Sequence, residues 1–110
     1  MRRVRCAYGG AMLHHVVVIR LKEGVTDEQV DSVLAGLAAL PAAVPQIRSF
    51  VFGRNLELSP NAADLAFHAT FDDVDDFSAY REHPAHKAFG AEVLRPLMES
   101  VTAIQFTAPA

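Results

Sequence analysis

The chain has little of what marks several large classes of protein. It contains a single cysteine, Cys6, which excludes an intrachain disulfide and a cysteine-based zinc site. No apolar run approaches the ~20 residues of a membrane-spanning helix. Its 10 Lys and Arg are outnumbered by 13 Asp and Glu, whereas a nucleic-acid-binding domain needs a basic face. We therefore expect a protein of the reducing cytoplasm that binds neither membranes nor nucleic acids.

The rest of the composition indicates one folded domain. Hydrophobic residues make up 51% of the 110-residue chain, which is enough to build a core. The first residues differ, because an arginine-rich start leads to Gly9-Gly10 and then Met12 without the apolar segment of a signal peptide. We expect residues 1–11 to be a disordered extension, Met12 to be the natural start and the domain to span residues 12–110.

Hydrophobic periodicity predicts the order of the secondary structure. Residues 13–22 include a run of β-branched apolar side chains, as in a strand buried on both faces. A capping box at Thr26 opens a helix, which Pro41 and Pro45 are expected to end. Further strands are predicted at residues 47–56, 65–71 and 101–107, followed by a frayed tail at 108–110.

A proline divides the second helical region. Asp72 or Asp73 caps a short helix that contains Tyr80. His83 then caps a new helix with Pro84 as its first residue, where a missing N–H removes no hydrogen bond. The apolar face of this new helix consists of Ala88, Phe89, Val93 and Leu97.

The element order β-α-β-β-α-β predicts an α+β, ferredoxin-like fold. In that fold a four-stranded antiparallel sheet carries both helices on one face. Because residues 13–22 are apolar on both sides of the strand, the other face also needs cover. A second copy related by a two-fold axis is the simplest cover. We therefore predict a homodimer in which two sheets pack face to face as a dimeric α/β barrel.

Residues 80–86 are the chemically densest part of the chain. Tyr80, His83 and His86 place a phenol and two imidazoles next to Pro84, and these are groups that transfer protons near neutral pH. In the first turn of a helix, the dipole disfavours an imidazolium by roughly 0.3–1 kcal/mol at an exposed position. His86 is therefore a candidate base, since a neutral imidazole can accept a proton.

Two segments together resemble the stress-responsive dimeric A/B barrel (Dabb) domain family. Residues 13–22 are similar to the first strand of that family, and residues 83–89 are similar to its His-Pro-x-His helix motif. Residues 67–71, followed by acidic residues, fit its third strand. The resemblance covers about residues 12–108, and it implies a dimeric ferredoxin-like barrel.

The resemblance also implies a site. Plant polyketide cyclases of this family close a linear polyketide by an aldol reaction without metal or organic cofactor, and their functional tyrosine and histidine match Tyr80 and His86. By the resemblance, His86 is the base, Tyr80 orients or polarises the substrate carbonyl, and His15 lines the pocket or relays a proton. We add His83 and Phe89 as candidate substrate-binding residues. The pocket is expected between the sheet and the first helices, with a small apolar or aromatic ligand.

The substrate does not follow from the resemblance, because charged residues Arg81 and Glu82 stand where the plant enzyme has aliphatic ones. Lys87 likewise replaces an apolar residue. A cofactor-free lyase or cyclase, a non-catalytic stress-related or small-ligand-binding dimer, and a cofactor-free monooxygenase all remain open. The monooxygenase would need an oxidisable, electron-rich substrate.

Each site residue also has a purely structural interpretation. Tyr80 could be an aromatic at the edge of the core, His83 a helix cap and His86 a solvated side chain. The spacing of His83 and His86 suits a metal on a continuous helix, but Pro84 interrupts it, so no metal site is predicted. His14 and His68 are expected to face the dimer interface or solvent.

Overall fold

A single sheet carries the helices of this protein. The computed structural model describes residues 11–60 and 62–109. Its strand order is β2-β3-β1-β4, and all neighbouring strands are antiparallel. This is the ferredoxin-like α+β fold that the sequence predicts. The elements of the described part are β1 (Ala11–Leu21), α1 (Asp27–Ala43), β2 (Ser49–Arg54), β3 (Leu65–Phe71), α2 (Val74–Glu82), α3 (Pro84–Ala88), a π-helical segment (Phe89–Leu94) and β4 (Met98–Pro109).

The side chains of the central strand β1 alternate between the two faces of the sheet. Leu13, Val17 and Ile19 are buried in the core beneath the helices, because alternate side chains of a strand point to opposite faces. The buried face of α1 packs on them with Val30, Val33, Leu37 and Leu40. Strand alternation places Val16 and Val18 on the other side of the sheet, which we call the open face. Its other apolar members include Val51, Ile104 and Phe106.

The first helix begins as predicted and ends between the two prolines that were expected to end it. The N–H of Gln29 donates to Thr26 Oγ1 at 3.2 Å, and the Thr26 N–H donates to Gln29 Oε1 at 2.9 Å, which confirms the capping box. Pro41, expected to end α1, lies inside it. The helix continues because the N–H of Val44 still bonds to the carbonyl of Leu40 at 2.9 Å and both side chains are buried.

The last strand corrects the prediction of a frayed tail. Ala108 and Pro109 pair with Met12 and Ala11 of β1. A proline is tolerated there because β4 is an edge strand. Apart from Ala11, the predicted N-terminal extension lies outside the described residues. Among the described residues, no helix is long and apolar enough to cross a bilayer.

The break in the second helical region is confirmed. Asp73 caps α2 through a hydrogen bond from the N–H of Asp76 at 2.8 Å. His83 closes α2 and caps α3, because its Nδ1 accepts from the N–H of Ala85 at 3.0 Å. The following turn is π-helical, with the N–H of Arg95 bonded to the carbonyl of Gly90 at 2.9 Å. The sequence pattern did not predict this wider turn, which borders the cavity described below.

Candidate active site

A cavity of about 460 Å³ lies between the helix-covered face of the sheet and the second helical region. This places it under α2, α3 and the π-helical segment rather than beside the first helices, where it was expected. Most of its wall is apolar, from side chains such as Val17, Phe67 and Phe77. The polar groups in the wall are His15, Tyr80, Arg81, His86 and Gln105. An apolar cavity with a few convergent polar groups is the usual form of a small-molecule site.

Tyr80 and His86 converge because the helix breaks between them. Their ring centroids are 4.4 Å apart, and the ring planes cross at 51°. Tyr80 belongs to the last turn of α2 and His86 to the first turn of α3. Pro84 cannot donate a backbone hydrogen bond, so α2 ends before it. The chain turns at His83, and α3 folds back toward α2. The helix break therefore assembles this side of the site.

The hydroxyl of Tyr80 is buried and has no hydrogen-bond partner among the described residues. Tyr80 is 0% exposed, and burial raises the pKa of the phenol above its ordinary value of 10.0. The hydroxyl is therefore neutral and able to donate. A buried polar group without a partner costs about 1–3 kcal/mol, so this hydroxyl is a group that a ligand oxygen would satisfy.

His86 is held in the form that accepts a proton. Burial is the main cause that lowers the pKa of this half-buried imidazole, and the charge of Arg81 lowers it further. The carbonyl of Arg81 and the carboxylate of Glu82 oppose that shift. Since His86 Nδ1 lies 3.2 Å from the Arg81 carbonyl oxygen, which can only accept, Nδ1 carries the proton. The lone pair of the neutral ring is then on Nε2.

His15 is held in the opposite tautomer. Its Nδ1 accepts from the Nε2 amide of Gln105 at 2.9 Å, which leaves the proton of the neutral ring on His15 Nε2. The ring is 7% exposed, and its centroid is 4.9 Å from that of Phe77. Burial lowers its pKa from 6.5 to about 4, with smaller effects from the charges of His86 and Arg81. His15 is therefore a neutral donor at physiological pH.

Two further residues were predicted to bind substrate, and the structure places them differently. Phe89 lines the cavity and packs closely on α1: a Cβ added to Gly36 would lie 2.5 Å from two atoms of its ring. Gly36 is therefore a point of close packing between α1 and the Phe89 ring. His83 is not part of the cavity wall, and its ring caps α3. Within the described ranges, no three His, Cys, Asp or Glu side chains are grouped as a metal site requires.

Two polar members of the site, Arg81 and Gln105, were not among the predicted site residues. Gln105 is the one that the sheet contributes. It faces His15 directly in the β1–β4 register and lies on the same side of the sheet. The available signal was strand alternation, because Val101, Ala103 and Gln105 share one side of β4. Alternation identifies the side of the strand, but only the pairing of β4 with β1 shows which residue lies opposite.

The other histidines of the sheet lie on the open face. His14 Nδ1 is 2.9 Å from His68 Nε2, and the His14 ring stacks on Phe106 with centroids 5.0 Å apart. The ring planes of His14 and His68 differ by 15°, and their centroids are 5.1 Å apart. These values fit two rings joined edge to edge by one N–H···N hydrogen bond. This pair is separate from the cavity.

These features define a class: a ferredoxin-like α+β protein whose cavity is formed by the sheet and a broken second helix. The sequence profile of the Stress responsive A/B Barrel Domain (Dabb) matches residues 13–108. The chain belongs to this family. An uncharacterised protein of Streptomyces coelicolor is 38% identical over 80 residues, which cover 70% of this chain and 81% of that protein.

Two other relatives extend the comparison. Olivetolic acid cyclase of Cannabis sativa is 25% identical over 96 residues, covering 84% of this chain and 93% of the cyclase. A crystal structure from Thermobifida fusca, described as a dimeric ferredoxin-like protein of unknown function, has a TM-score of 0.83 and 33% identity. That match covers 97% of this chain and 100% of the other. This chain is thus similar both to a cyclase and to proteins whose function is not known.

Proposed function

We propose that this protein is a cofactor-independent lyase or cyclase that acts on a small apolar carbonyl compound by acid–base chemistry. The observation that carries the proposal is a cavity lined by two neutral imidazoles, His15 and His86, and by Tyr80, whose buried hydroxyl has no partner among the described residues. The imidazoles have complementary tautomers, one with a free lone pair and one with a free N–H. The similarity to olivetolic acid cyclase supports the same class of reaction.

The proposed reaction is an aldol-type step. His86 Nε2 removes a proton from a carbon next to a carbonyl, and the carbonyl becomes an enolate. Tyr80 and His15 donate hydrogen bonds to the enolate oxygen, where negative charge develops. The enolate carbon then forms a bond to a second carbonyl carbon, and the resulting alkoxide takes the proton back from His86. No atom is gained or lost, and a lyase runs the same steps in reverse.

The first test measures proton removal without the natural substrate. Wild-type protein is incubated with ethyl benzoylacetate in D2O, and exchange of the acidic C–H is followed by NMR. We expect exchange above the buffer rate and a decrease of about a hundredfold in His86→Gln, since a positioned base contributes roughly 10²–10⁴-fold. His83→Asn is the matched control, because it alters the neighbouring histidine outside the cavity and keeps a helix cap.

The complete burial of Tyr80 favours a second candidate, a dimer that holds a ligand without transforming it. A hydroxyl closed off from solvent reaches a ligand only if the wall opens. For this candidate, ethyl benzoylacetate would bind to wild type and to His86→Gln with equal affinity. Exchange would then stay at the buffer rate in both proteins, which would contradict the catalytic proposal.

The proposal includes a homodimer that forms through the open face. Val51, Ile104 and Phe106 are 62%, 58% and 46% exposed, and Val16 and Val18 line an adjacent hollow of about 480 Å³. A contiguous apolar surface of this kind marks an interface. A second copy fits it because similar solved structures are described as dimeric. Light scattering at micromolar concentration tests the point, and a stable monomer would contradict it.

A further inference from the structure

Arg81 determines the charge of the cavity. No Asp or Glu is among the residues that line it in the described part of the chain, and Arg81 is the only lining residue with a fixed charge. The two lining histidines are neutral near pH 7, for the reasons given above. The cavity therefore combines an apolar wall with one permanent positive charge.

The position of Arg81 puts that charge at the mouth of the cavity. Arg81 is an exposed residue in the last turn of α2, and its guanidinium carbon lies 5.8 Å from the centroid of the Phe77 ring. The same ring borders His15 inside the cavity. The guanidinium is thus placed against the apolar wall, where it remains accessible to a ligand that enters from solvent.

The charge of Arg81 is not neutralised by an ion pair within the described part of the chain. None of the ion pairs formed among the described residues includes Arg81. Its neighbour Glu82 pairs instead with Lys87, with Nζ 2.9 Å from Oε1. An arginine presents a planar fork of N–H donors that matches a carboxylate. A single guanidinium suits one carboxylate better than a phosphate dianion, which usually recruits several donors.

We propose that the cavity selects small apolar acids, with the ligand carboxylate bound to Arg81 at the mouth and the apolar body inside the cavity. This inference rests on the proposed function of the same site, because it names the class of substrate. A ligand bound to Arg81 would also affect His86. A bound carboxylate offsets the charge that lowers the pKa of His86, so the base becomes stronger when the ligand is present.

The test uses two probes of the same shape, 2-naphthoate and its neutral analogue 2-naphthamide, titrated calorimetrically at pH 7.5. We expect wild type to bind the carboxylate about tenfold more tightly than the amide, which is a typical worth of one charge-assisted hydrogen bond. Arg81→Gln should remove that preference and leave the amide affinity within about twofold. Arg81→Lys should restore most of the preference, because the charge is retained.

The control variant is Arg95→Gln, which makes the same change of net charge at an exposed arginine outside the cavity wall. It should keep the preference for the carboxylate. Equal affinity of wild type for both probes, an equal loss of both in Arg81→Gln, or no binding of either would overturn the proposal. Raising the salt concentration should weaken only the carboxylate complex.

This experiment separates the ligand class from catalysis. His86→Gln removes the proposed base but keeps Arg81, so it should still prefer 2-naphthoate. If His86→Gln retains the preference while wild type shows no proton exchange, the catalytic proposal fails and the ligand class stands. If exchange depends on His86 but naphthoate has no advantage over naphthamide, the catalytic proposal stands and the inference on Arg81 fails.

Discussion

The two faces of the sheet differ although they alternate along one strand. His14 and His15 are neighbours in β1, yet His15 lies under the helices in a cavity and His14 lies on the open face. His15 contacts an amide and aromatic rings, whereas His14 contacts a second histidine and Phe106. The same residue type thus has two environments, and strand alternation decides which it receives.

If the proposed reaction and the proposed dimer hold, assembly uses one face of the sheet and chemistry uses the other. The helix-covered face keeps the Tyr80 hydroxyl buried without a partner among the described residues, which costs stability unless a ligand satisfies it. The open face exposes apolar side chains such as Val51 and Ile104 beside its pair of histidines, and these apolar side chains would gain stability if a second copy covered them. Changes on the open face should therefore affect association, and changes in the cavity should affect pH dependence and turnover.

The largest effect is expected from a charge on the open face. Ile104→Asp should raise the dimer Kd by roughly a hundredfold or more, because each copy loses about 1.5–3 kcal/mol of side-chain burial and symmetry repeats the change. Analytical ultracentrifugation measures this. Thr107→Asp is the matched control on the same strand, since it is exposed on the opposite side. Equal weakening by both variants would contradict the division between the two faces.

The next largest effect is the part of the pH dependence of stability that comes from His15. Its pKa is 6.5 in the unfolded chain and about 4 in the folded one, so the unfolded state binds more protons between these values. Protonation of His15 leaves the free energy of unfolding unchanged above pH 6.5. As the pH falls from 6.5 to 4, it lowers that free energy by about 3 kcal/mol. Urea unfolding of wild type and His15→Gln from pH 8 to pH 4 tests this.

The two curves should run parallel above pH 7 and converge below it, because the variant has no imidazole to protonate at this position. Acid destabilisation from other groups is common to both proteins and cancels in the difference. If the difference between the free energies of unfolding does not change with pH, burial does not lower the pKa of His15.

A third effect concerns the wall between α1 and the cavity. Gly36→Ala should lower the free energy of unfolding by about 1–2 kcal/mol, because a Cβ would lie 2.5 Å from the Phe89 ring. The better helix propensity of alanine offsets only part of this. Gly90→Ala is the control, since a Cβ there meets nothing within 4 Å. Thermal unfolding measures both, and a stabilised Gly36→Ala protein would contradict the tight contact.

Much of the fold was predictable because it is encoded locally. The capping box at Thr26, the alternation in β3 and the break at Pro84 each follow from neighbouring residues. The role of Pro41 in α1 and the end of β4 were predicted wrongly, because contacts with residues distant in the sequence determine where these elements end. Pro41 stays inside α1 because Leu40 and Val44, on either side of it, are both buried, and Pro109 joins β4 because β1 extends beside it.

The candidate site was predictable in its residues and not in its arrangement. Tyr80 and His86 could be selected from one short segment, and the helix break explains their contact. The tautomer of His15 could not, because it depends on Gln105, which is far along the chain and adjacent only in the sheet. His83 caps α3, a role its place before Pro84 already allowed.

The smallest effect has opposite signs for stability and function, and it tests the cavity most directly. Tyr80→Phe removes a buried hydroxyl that has no partner among the described residues, so the variant should be more stable by up to about 1 kcal/mol. The same change removes a donor to the enolate, so proton exchange should fall about tenfold or more. Urea unfolding and NMR exchange measure the two effects separately. A less stable variant would mean that the hydroxyl is hydrogen-bonded in solution, and unchanged exchange would remove Tyr80 from the proposed reaction.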